Sequence, residues 1–240
     1  MEVTKNTTVN IELNKVLASF GTVTLKGKRK DNNVEKVEMS VNNLNIAQIK
    51  KIPALLGEVD VVKSIQLLPG VSTVGEGATG FNVRGGSIDQ NLILLDEATI
   101  YNSSHLFGFF SVFNPDAIKD LKLYKGGIPA RFGGRASSVL DIYQKDGNSN
   151  KFHANGGIGL ITSRLLLEGP IVKDKASFLI GGRASYGHLF LKLANNDNTA
   201  YFYDLNTKMN YKINKNNTLF LSGYFGRDIF SINKSFSPLV

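Results

Sequence analysis

Polar and apolar residues alternate along the last third of the chain, and this alternation predicts β-strands. Between 201 and 212 the odd positions are mostly aromatic or aliphatic, whereas the even positions are mostly polar or charged. Successive side chains of a strand point to opposite faces, so such a strand has one apolar and one polar face. The pattern recurs at 151–158, 161–168, 177–190 and 218–226, and Asn214–Asn217 predicts a tight turn. We expect about five strands here.

Two classes of protein contain strands of this kind. A transmembrane strand presents one face to lipid and the other to a wet lumen. A strand of a soluble β-sandwich presents one face to its core and the other to water. The alternation alone is compatible with both classes.

The middle of the chain predicts a mixed α+β unit. Asn45 is placed to cap a short helix that runs to Lys51 and stops before Pro53. A second helix is predicted from about Glu58 to Leu68, before a Pro-Gly turn. Its inward face would consist of Val59, Val62, Ile65 and Gln66. Strands are predicted at about 80–84, 91–96, 98–101, 119–124 and 138–143, with a helical turn at 114–118.

The start of the chain predicts two short strands, at 8–13 and 22–26, followed by a polar linker at 28–36. No secretory signal is visible after Met1, because the first residues are polar where a signal peptide has an apolar core.

A series of short motifs lies between Phe81 and Arg135. In chain order they are Asn82-Val83-Arg84-Gly85-Gly86, Leu92-Ile93-Leu94-Leu95-Asp96, the aromatic stretch Tyr101 to Phe113, Leu123-Tyr124-Lys125-Gly126-Gly127, and Ile128-Pro129-Ala130-Arg131-Phe132-Gly133-Gly134-Arg135. Their order and spacing resemble the plug domain of TonB-dependent outer-membrane receptors, especially the type common in Bacteroidetes.

The resemblance implies a domain organisation. Residues 1–38 would be the end of an accessory β domain and a linker, and residues 39–147 the plug. Residues 151–240 would be the first strands, about five, of the transmembrane β-barrel. The fold class is then an α+β plug followed by antiparallel strands of an incomplete outer-membrane β-barrel, since such barrels have about 22 strands.

The resemblance also implies a function and a set of partners. The protein would lie in the cell outer membrane, bind an extracellular ligand such as a siderophore or glycan, and gate its import through the plug. The implied partners are the TonB–ExbB–ExbD energising complex, outer-membrane lipid and a surface lipoprotein. A surface receptor for ligand binding or signalling, built on the same plug without transport, is the alternative. A TonB box is not recognisable, and Thr22–Leu25 is a weak candidate for it.

Arg84 and Lys125 are the candidates for locking the plug in the barrel. Receptors of this family pair plug arginines with barrel glutamates, and the rigid fork of Arg84 suits a carboxylate. The other interpretation of Arg84 is a solvated side chain beside a turn. Lys125 stands where many relatives have arginine, which weakens the transfer of that role.

The aromatic stretch supplies the candidates for ligand contact. Aromatic rings offer stacking surface, and Asn, Ser and His add hydrogen bonds. The candidates are Tyr101, Asn102, Ser104, His105 and Phe107. The alternative interpretation is a hydrophobic cluster that packs the plug against the barrel wall. The residues expected to define the fold are Gly85, Gly86, Asp96, Pro129, Gly133 and Gly134.

Composition excludes several kinds of chemistry. The chain has no cysteine, so disulfides and thiolate metal sites are excluded. Its net charge of +8 includes one tight basic cluster, Lys26 to Lys30, which we interpret as a solvated strand end, and we expect no nucleic-acid partner. The three histidines lie far apart in the chain, so we expect neither a catalytic nor a metal site.

A glycine-rich segment, Gly75-Glu76-Gly77-Ala78-Thr79-Gly80, matches the pattern of dinucleotide-binding loops. That pattern works only where a helix follows, because the helix N-terminus receives the phosphates. The residues after Gly80 predict a strand, so we interpret the segment as a loop and expect no cofactor. A soluble β-rich enzyme is the remaining alternative, and a helix directly after Gly80 would support it.

Overall fold

Two five-stranded β-sheets, two short β-hairpins and several short helices make up the described part of the chain. The computed structural model describes residues 40–52, 58–75, 79–193 and 198–231. The strands and linker predicted before residue 38 lie outside these ranges. We call residues 40–146 the mixed-sheet region and the strands after residue 152 the meander.

The mixed-sheet region begins with β1 (Val41–Leu44), α1 (Ile46–Ile49), α2 (Val61–Gln66), β2 (Val71–Thr73), β3 (Phe81–Val83), β4 (Asn91–Leu95) and β5 (Ala98–Thr99). It continues with β6 (Ser104–His105), β7 (Phe110–Ser111), β8 (Ile118–Tyr124) and β9 (Ser138–Gln144). Short 3-10 helices lie at Ile88–Gln90 and Leu106–Gly108. The main sheet has the order β1-β8-β9-β4-β5, and β9 is parallel to β4. The remaining strands form the hairpins β2–β3 and β6–β7.

The main sheet is covered on both faces, which explains why β4 is buried along its whole length. On one face, side chains such as Ile93 and Leu140 pack against Val62 and Ile65 of α2. On the other face, a smaller cluster is packed against the loop after β8. That cluster consists of Leu92, Leu94, Tyr124 and Val139, with Val41, Ile128 and Phe132 at its edge. A continuous apolar run such as Leu92–Leu95 is typical of a strand with no wet face.

Capping side chains set the start of both early helices. Asn45 caps α1 as predicted, and its Oδ1 accepts a hydrogen bond from the Ala47 amide at 2.9 Å. The second helix begins at Val61 rather than near Glu58, because Asp60 is its N-cap. Asp60 Oδ1 accepts from the amides of Val62 and Lys63 at 2.8 and 3.0 Å. Its other oxygen accepts from the Ser111 amide at 2.9 Å, which ties the helix to β7.

The meander is an antiparallel sheet whose strands follow one another in chain order. The strands are β10 (His153–Ile158), β11 (Thr162–Val172), β12 (Ala176–Ser185), β13 (Thr199–Lys212) and β14 (Thr218–Ser231). A short helix, α3 (His188–Leu193), lies between β12 and β13. The strand predicted at 177–190 therefore ends at Ser185. The Tyr186 amide donates to Ile161 O at 2.8 Å as the chain leaves the sheet.

The two faces of β13 are reversed relative to those of a soluble sandwich. Phe202, Asp204, Asn206 and Lys208 are buried against the mixed-sheet region, whereas Tyr203, Leu205 and Met209 are exposed. The predicted alternation is present, and its mostly polar face is the covered one. We call the covered side of the meander its inner face. This arrangement favours the transmembrane interpretation of the alternation over the soluble one.

The other segments differ from prediction in detail. The helical turn expected at 114–118 is a hydrogen-bonded turn in which the Ala117 amide donates to Asn114 O at 3.1 Å. Strand β3 follows Gly80, so the helix that a dinucleotide loop requires is not there. No helix in the described ranges has the length and apolar character needed to cross a membrane. The proposed domain limits at residues 38, 147 and 151 remain predictions.

Replacement of Asp60 tests the link between α2 and β7. Asp60→Ala removes both the cap and the bond to Ser111, so we expect the opening free energy of α2 to fall by about 2–3 kcal/mol. Asp60→Asn keeps an oxygen for the cap but loses the acceptor for Ser111, and we expect a loss of about 1 kcal/mol. Hydrogen exchange of the α2 amides in the full-length protein measures both values. Asp89→Ala, at an exposed position, is the control, and equal losses in all three variants would contradict the assignment.

Candidate functional site

Charged side chains on the inner face of the meander meet acidic side chains of the mixed-sheet region. The basic members are Arg164 on β11, Arg183 on β12 and Lys208 on β13. The acidic members from the mixed-sheet region are Glu58, Asp96, Asp116 and Asp146, and Asp204 and Asp228 belong to the meander itself. Every second residue of a strand faces the same side of the sheet. The charged residues of the meander at these positions therefore lie on its inner face.

Arg183 is at the centre of this interface. Its side chain is only 1% exposed, and it forms an ion pair with the fully buried carboxylate of Asp204. Its Nε donates to Asp204 Oδ2 at 2.9 Å, and its Nη1 lies 3.4 Å from Glu58 Oε1. Nη2 also donates to Ser111 O at 2.8 Å. One guanidinium thus joins the neighbouring strand to two separate segments of the mixed-sheet region.

Arg164 extends the interface along β11. Its Nε donates to Asp116 Oδ2 at 2.7 Å, and its Nη1 donates to Glu58 Oε2 at 3.3 Å. Lys50 donates to the other oxygen of Asp116 at 2.5 Å. Burial alone raises the pKa of Asp116, but hydrogen bonds and charge from Lys50 and Arg164 outweigh burial and hold the pKa below its ordinary value. Asp116 is therefore ionised in the folded protein at neutral pH.

Lys208 forms the ion pairs of the interface that lie nearest to the connection between the two sheets. Its Nζ lies 3.0 Å from Asp96 Oδ1, 3.2 Å from Asp146 Oδ1 and 2.9 Å from Gln144 O. Burial raises the pKa of Asp146, whereas Lys119 and Lys208 lower it, with a net result below the ordinary value.

The connection itself is held by backbone contacts. Asp146 O accepts hydrogen bonds from Ser177 Oγ at 2.7 Å and from Asn210 Nδ2 at 2.5 Å. Gly147 has φ +77° and leaves no room for a Cβ against the backbone of Phe178. A residue with a side chain would be strained at this position.

His105 is placed between the aromatic loop and the meander. Its Nδ1 lies 3.1 Å from Asp228 and its Nε2 lies 3.2 Å from Asp204. The ring stacks on Phe202 with centroids 4.3 Å apart. His105 was predicted as a ligand contact, but it is buried in this interface. Its structural role here is a contact with the meander; the ligand role stays a prediction.

The other predicted ligand residues lie at the surface of the aromatic loop. Tyr101 is 87% exposed and Phe107 is 79% exposed. Phe107 contacts Phe230 of β14 edge to face, with centroids 4.9 Å apart. Asn102 Oδ1 accepts from the Ser104 amide at 3.3 Å, which shapes the loop. Beside Tyr101 and Asn102 is a cavity of about 410 Å³ that reaches Gln144 and Tyr224.

The predicted lock residues stand together at the start of β1. Arg84 Nη2 donates to Ser40 Oγ at 2.9 Å, and Lys125 Nζ donates to Pro69 O at 2.8 Å. The Lys125 amide donates to Ser40 O at 3.1 Å. These contacts lie within the mixed-sheet region, so the pairing of Arg84 and Lys125 with a barrel glutamate stays a prediction.

Backbone conformation accounts for several of the residues expected to define the fold. Gly85 and Gly134 have φ of +83° and +82°, values that favour glycine. Gly86 packs so closely on Ser137 that a Cβ would collide with it. Asp96 has φ 47°, and its carboxylate accepts from the amide and the side chain of Gln144 at 3.0 Å each. Pro129 O accepts from the Phe132 amide in a turn, and Gly133 has open space around its Cα.

The charged residues at polar positions of the alternating strands were a sequence signal for this interface, which the search for motifs did not use. Arg183, Asp204 and Lys208 occupy polar positions of strongly alternating strands, and Glu58 and Asp116 flank predicted helical segments. Pairing these residues requires the relative position of two sheets, which alternation does not supply. Within the described ranges no group of three His, Cys, Asp or Glu side chains is arranged to hold a metal ion.

Comparison with protein families identifies the type of domain that the mixed-sheet region resembles. Residues 33–139 match the family described as TonB-dependent Receptor Plug Domain. No curated protein sequence matches the chain.

Solved structures share the fold. The siderophore receptor PirA from Acinetobacter baumannii superposes with a TM-score of 0.58 at 19% identity, over 80% of this chain and 32% of that one. PirA from Pseudomonas aeruginosa gives 0.57 at 19% identity, over 79% and 35%. The outer membrane transporter YddB from Escherichia coli gives 0.51 at 12% identity, over 73% and 31%. The chain therefore spans about one third of the length of these proteins.

Among substitutions in the interface, Arg183→Met should lower the free energy of unfolding the most. It leaves the buried carboxylates of Asp204 and Glu58 without their partner, so we expect a loss of about 3–5 kcal/mol in unfolding free energy. Chemical denaturation of the full-length protein in detergent measures the loss. Arg227→Met, at an exposed position on β14, is the matched control and should change stability by less than about 0.5 kcal/mol. Similar losses in the two variants would contradict the central position of Arg183.

Asp116 should make stability depend on pH in acid. Because its folded pKa lies below the ordinary value, its contribution is complete above about pH 4 and is lost as the pH falls through the lowered pKa. Asp116→Asn should flatten the acid side of the stability profile, measured by denaturation between about pH 2 and pH 6. Asp89→Asn is the exposed control. A wild-type slope retained in Asp116→Asn would show that other groups cause the acid dependence.

Proposed function

We propose, on the premise that this chain carries the plug domain of a TonB-dependent receptor, that it is part of a transporter. Such receptors act in the cell outer membrane, and this chain is a component of that membrane. In this proposal residues 39–147 are the plug, and the strands β10 to β14 belong to the barrel that surrounds it. In this assignment the inner face of the meander faces the lumen.

The observation that carries the proposal is the way in which the plug contacts the meander. Strand β13 exposes an apolar face and buries a mostly polar one, which is the arrangement of a barrel strand between lipid and lumen. Arg164, Arg183 and Lys208 of the meander, the proposed barrel wall, bind carboxylates of the plug. Ion pairs and hydrogen bonds thus hold the plug together with smaller apolar contacts, such as Ala117 against Leu166 and Leu179.

Such an interface suits a plug that must move. Groups that leave an ion pair in a wet lumen can bind water, which lowers the cost of their separation. Ligand binds at the outer side of the plug, the TonB–ExbB–ExbD complex supplies the pull, and the plug rearranges to open a path. The chemistry is binding and gating, with no covalent bond broken. A surface lipoprotein would be an additional partner in ligand capture.

The exposed aromatic loop supports the choice of ligand class. Tyr101 and Phe107 offer flat apolar surface to a ligand from the outside. Two of the similar solved structures are siderophore receptors, so iron–siderophore complexes are the first ligands to test. Oligosaccharides, which also stack on aromatic rings, are the second class.

A disulfide between plug and wall tests whether the plug gates import. A Cβ built at Gly181 of β12 would lie 3.1 Å from Asn114 Nδ2 of the plug, so Asn114→Cys with Gly181→Cys places two thiols in reach of each other. The oxidised double variant should bind labelled iron–siderophore complexes as the wild type does but import them at least about tenfold more slowly, because the turn at residue 114 is fixed to the wall. Reduction should restore import.

The two single-cysteine variants are the controls, and the chain itself contributes no other cysteine. Import by the oxidised double variant at the wild-type rate would contradict gating by movement of this part of the plug. Ligand binding without import in the wild type would favour the receptor without transport.

A further inference from the structure

Within the described ranges, the donors to the carboxylate of Glu58 are side chains of the meander. Thr162 Oγ1 donates to Glu58 Oε2 at 2.9 Å, and Arg164 Nη1 donates to the same oxygen at 3.3 Å. Arg183 Nη1 lies 3.4 Å from the other oxygen, Oε1. Glu58 itself is 4% exposed. A buried carboxylate of the plug is thus bound from both sides by the wall.

The strand register brings the two arginines together. Arg164 of β11 and Arg183 of β12 are directly opposite each other, and Thr162 lies two residues before Arg164 on the same face. Like charges that face each other across neighbouring strands destabilise a sheet. An anion between the two guanidinium groups removes this repulsion, and each oxygen of Glu58 contacts one of them.

The three wall side chains have the chemistry of a carboxylate site. Guanidinium and hydroxyl groups donate hydrogen bonds, a carboxylate only accepts them, and the arginine bonds are charge-assisted. The donors belong to two adjacent strands, so the sheet and not the plug sets their relative positions. The Arg164 side chain is 20% exposed, so a small ion can reach the site from solvent.

The partners of the two arginines differ in the part of the chain to which they belong. Asp204, which binds Arg183, is itself part of the wall. Both carboxylates that bind Arg164, those of Glu58 and Asp116, are part of the plug. Movement of the plug away from the wall therefore leaves Arg164 without an anion, beside the equally positive Arg183. Unpaired cations in a lumen attract anions.

We propose that Thr162, Arg164 and Arg183 form a carboxylate-binding site of the wall. Glu58 occupies this site while the plug is in place. After the plug has moved, a carboxylate group of the ligand occupies it on the way through the lumen. The site itself follows from the contacts, whereas its use by a ligand rests on the proposed function.

Rescue of Glu58→Ala by acetate tests the site. The substitution removes the carboxylate and the methylene next to it, which together have the size of acetate. Thermal unfolding of the full-length protein in detergent, at constant ionic strength, measures the effect. Addition of about 100 mM acetate should raise the unfolding temperature of Glu58→Ala by about 2–5 °C, because acetate binds the folded protein. Acetamide, which has nearly the same shape but no charge, is the control and should leave the temperature unchanged.

The wild type should not respond to acetate, because Glu58 already occupies the site. Addition of Thr162→Val to Glu58→Ala removes one donor at little change in shape, so about tenfold more acetate should be needed for the same rise. Addition of Arg164→Met should abolish the response. Equal effects of acetate and acetamide, or equal effects of acetate on the wild type and on Glu58→Ala, would overturn the site. If the Arg164 variant does not fold, the Thr162 variant decides the question.

Import of two iron complexes tests the use of the site by a ligand. One probe is an iron complex of a siderophore with free carboxylates, and the other is a neutral iron–hydroxamate complex. Thr162→Val should slow import of the carboxylate complex at least about threefold relative to the neutral one. Equal import of the two complexes by this variant, relative to the wild type, would overturn the role in transport. Import of neither complex by the wild type, with rescue by acetate intact, would count against the proposed function alone.

Discussion

The burial of Arg183 is the constraint on which the rest of the interface depends. A guanidinium cannot lose its charge, so a position without solvent must supply it with anions and carbonyl oxygens. Asp204, Glu58 and the backbone at Ser111 meet this requirement. Ser111 in turn is held by Asp60, the residue that starts α2. One wall residue thereby sets the position of a helix, a hairpin and a neighbouring strand.

The same constraint explains why the polar face of the meander is the buried one. The apolar face needs no partner if its surroundings are lipid, and the polar face needs many partners because its surroundings are protein and water. Hydrogen bonds and ion pairs give the plug a defined position, and water can replace them one at a time. A large apolar contact would offer no such stepwise exchange, because its exposed surface has no favourable contact with water.

Local patterns in the sequence predicted most of the helices and strands. They did not predict which side chains that are distant in the chain form pairs. The alternation of residues 201–212 located β13 and both of its faces, and Asn45 located the start of α1. The start of α2 was placed too early because the capping role of Asp60, a local signal, was not recognised in the sequence. His105 was a candidate for ligand contact, with packing against the barrel wall as the alternative, and nothing local indicates its contacts with Asp204 and Asp228. The arginines and lysine of the wall were visible as inward positions, but their partners depend on how two sheets meet.

The short connection after Asp146 joins the mixed-sheet region to the meander. Asp146 and Gly147 are held against Ser177, Phe178 and Asn210, and the chain continues directly into the wall. His105 touches the wall beside Phe202, roughly 25 Å further along β13. If the mixed-sheet region turns about this connection, as the proposed gating requires, displacement grows with distance from Gly147. The aromatic loop, at the other end of β13, would then be displaced more than the residues near Asp146.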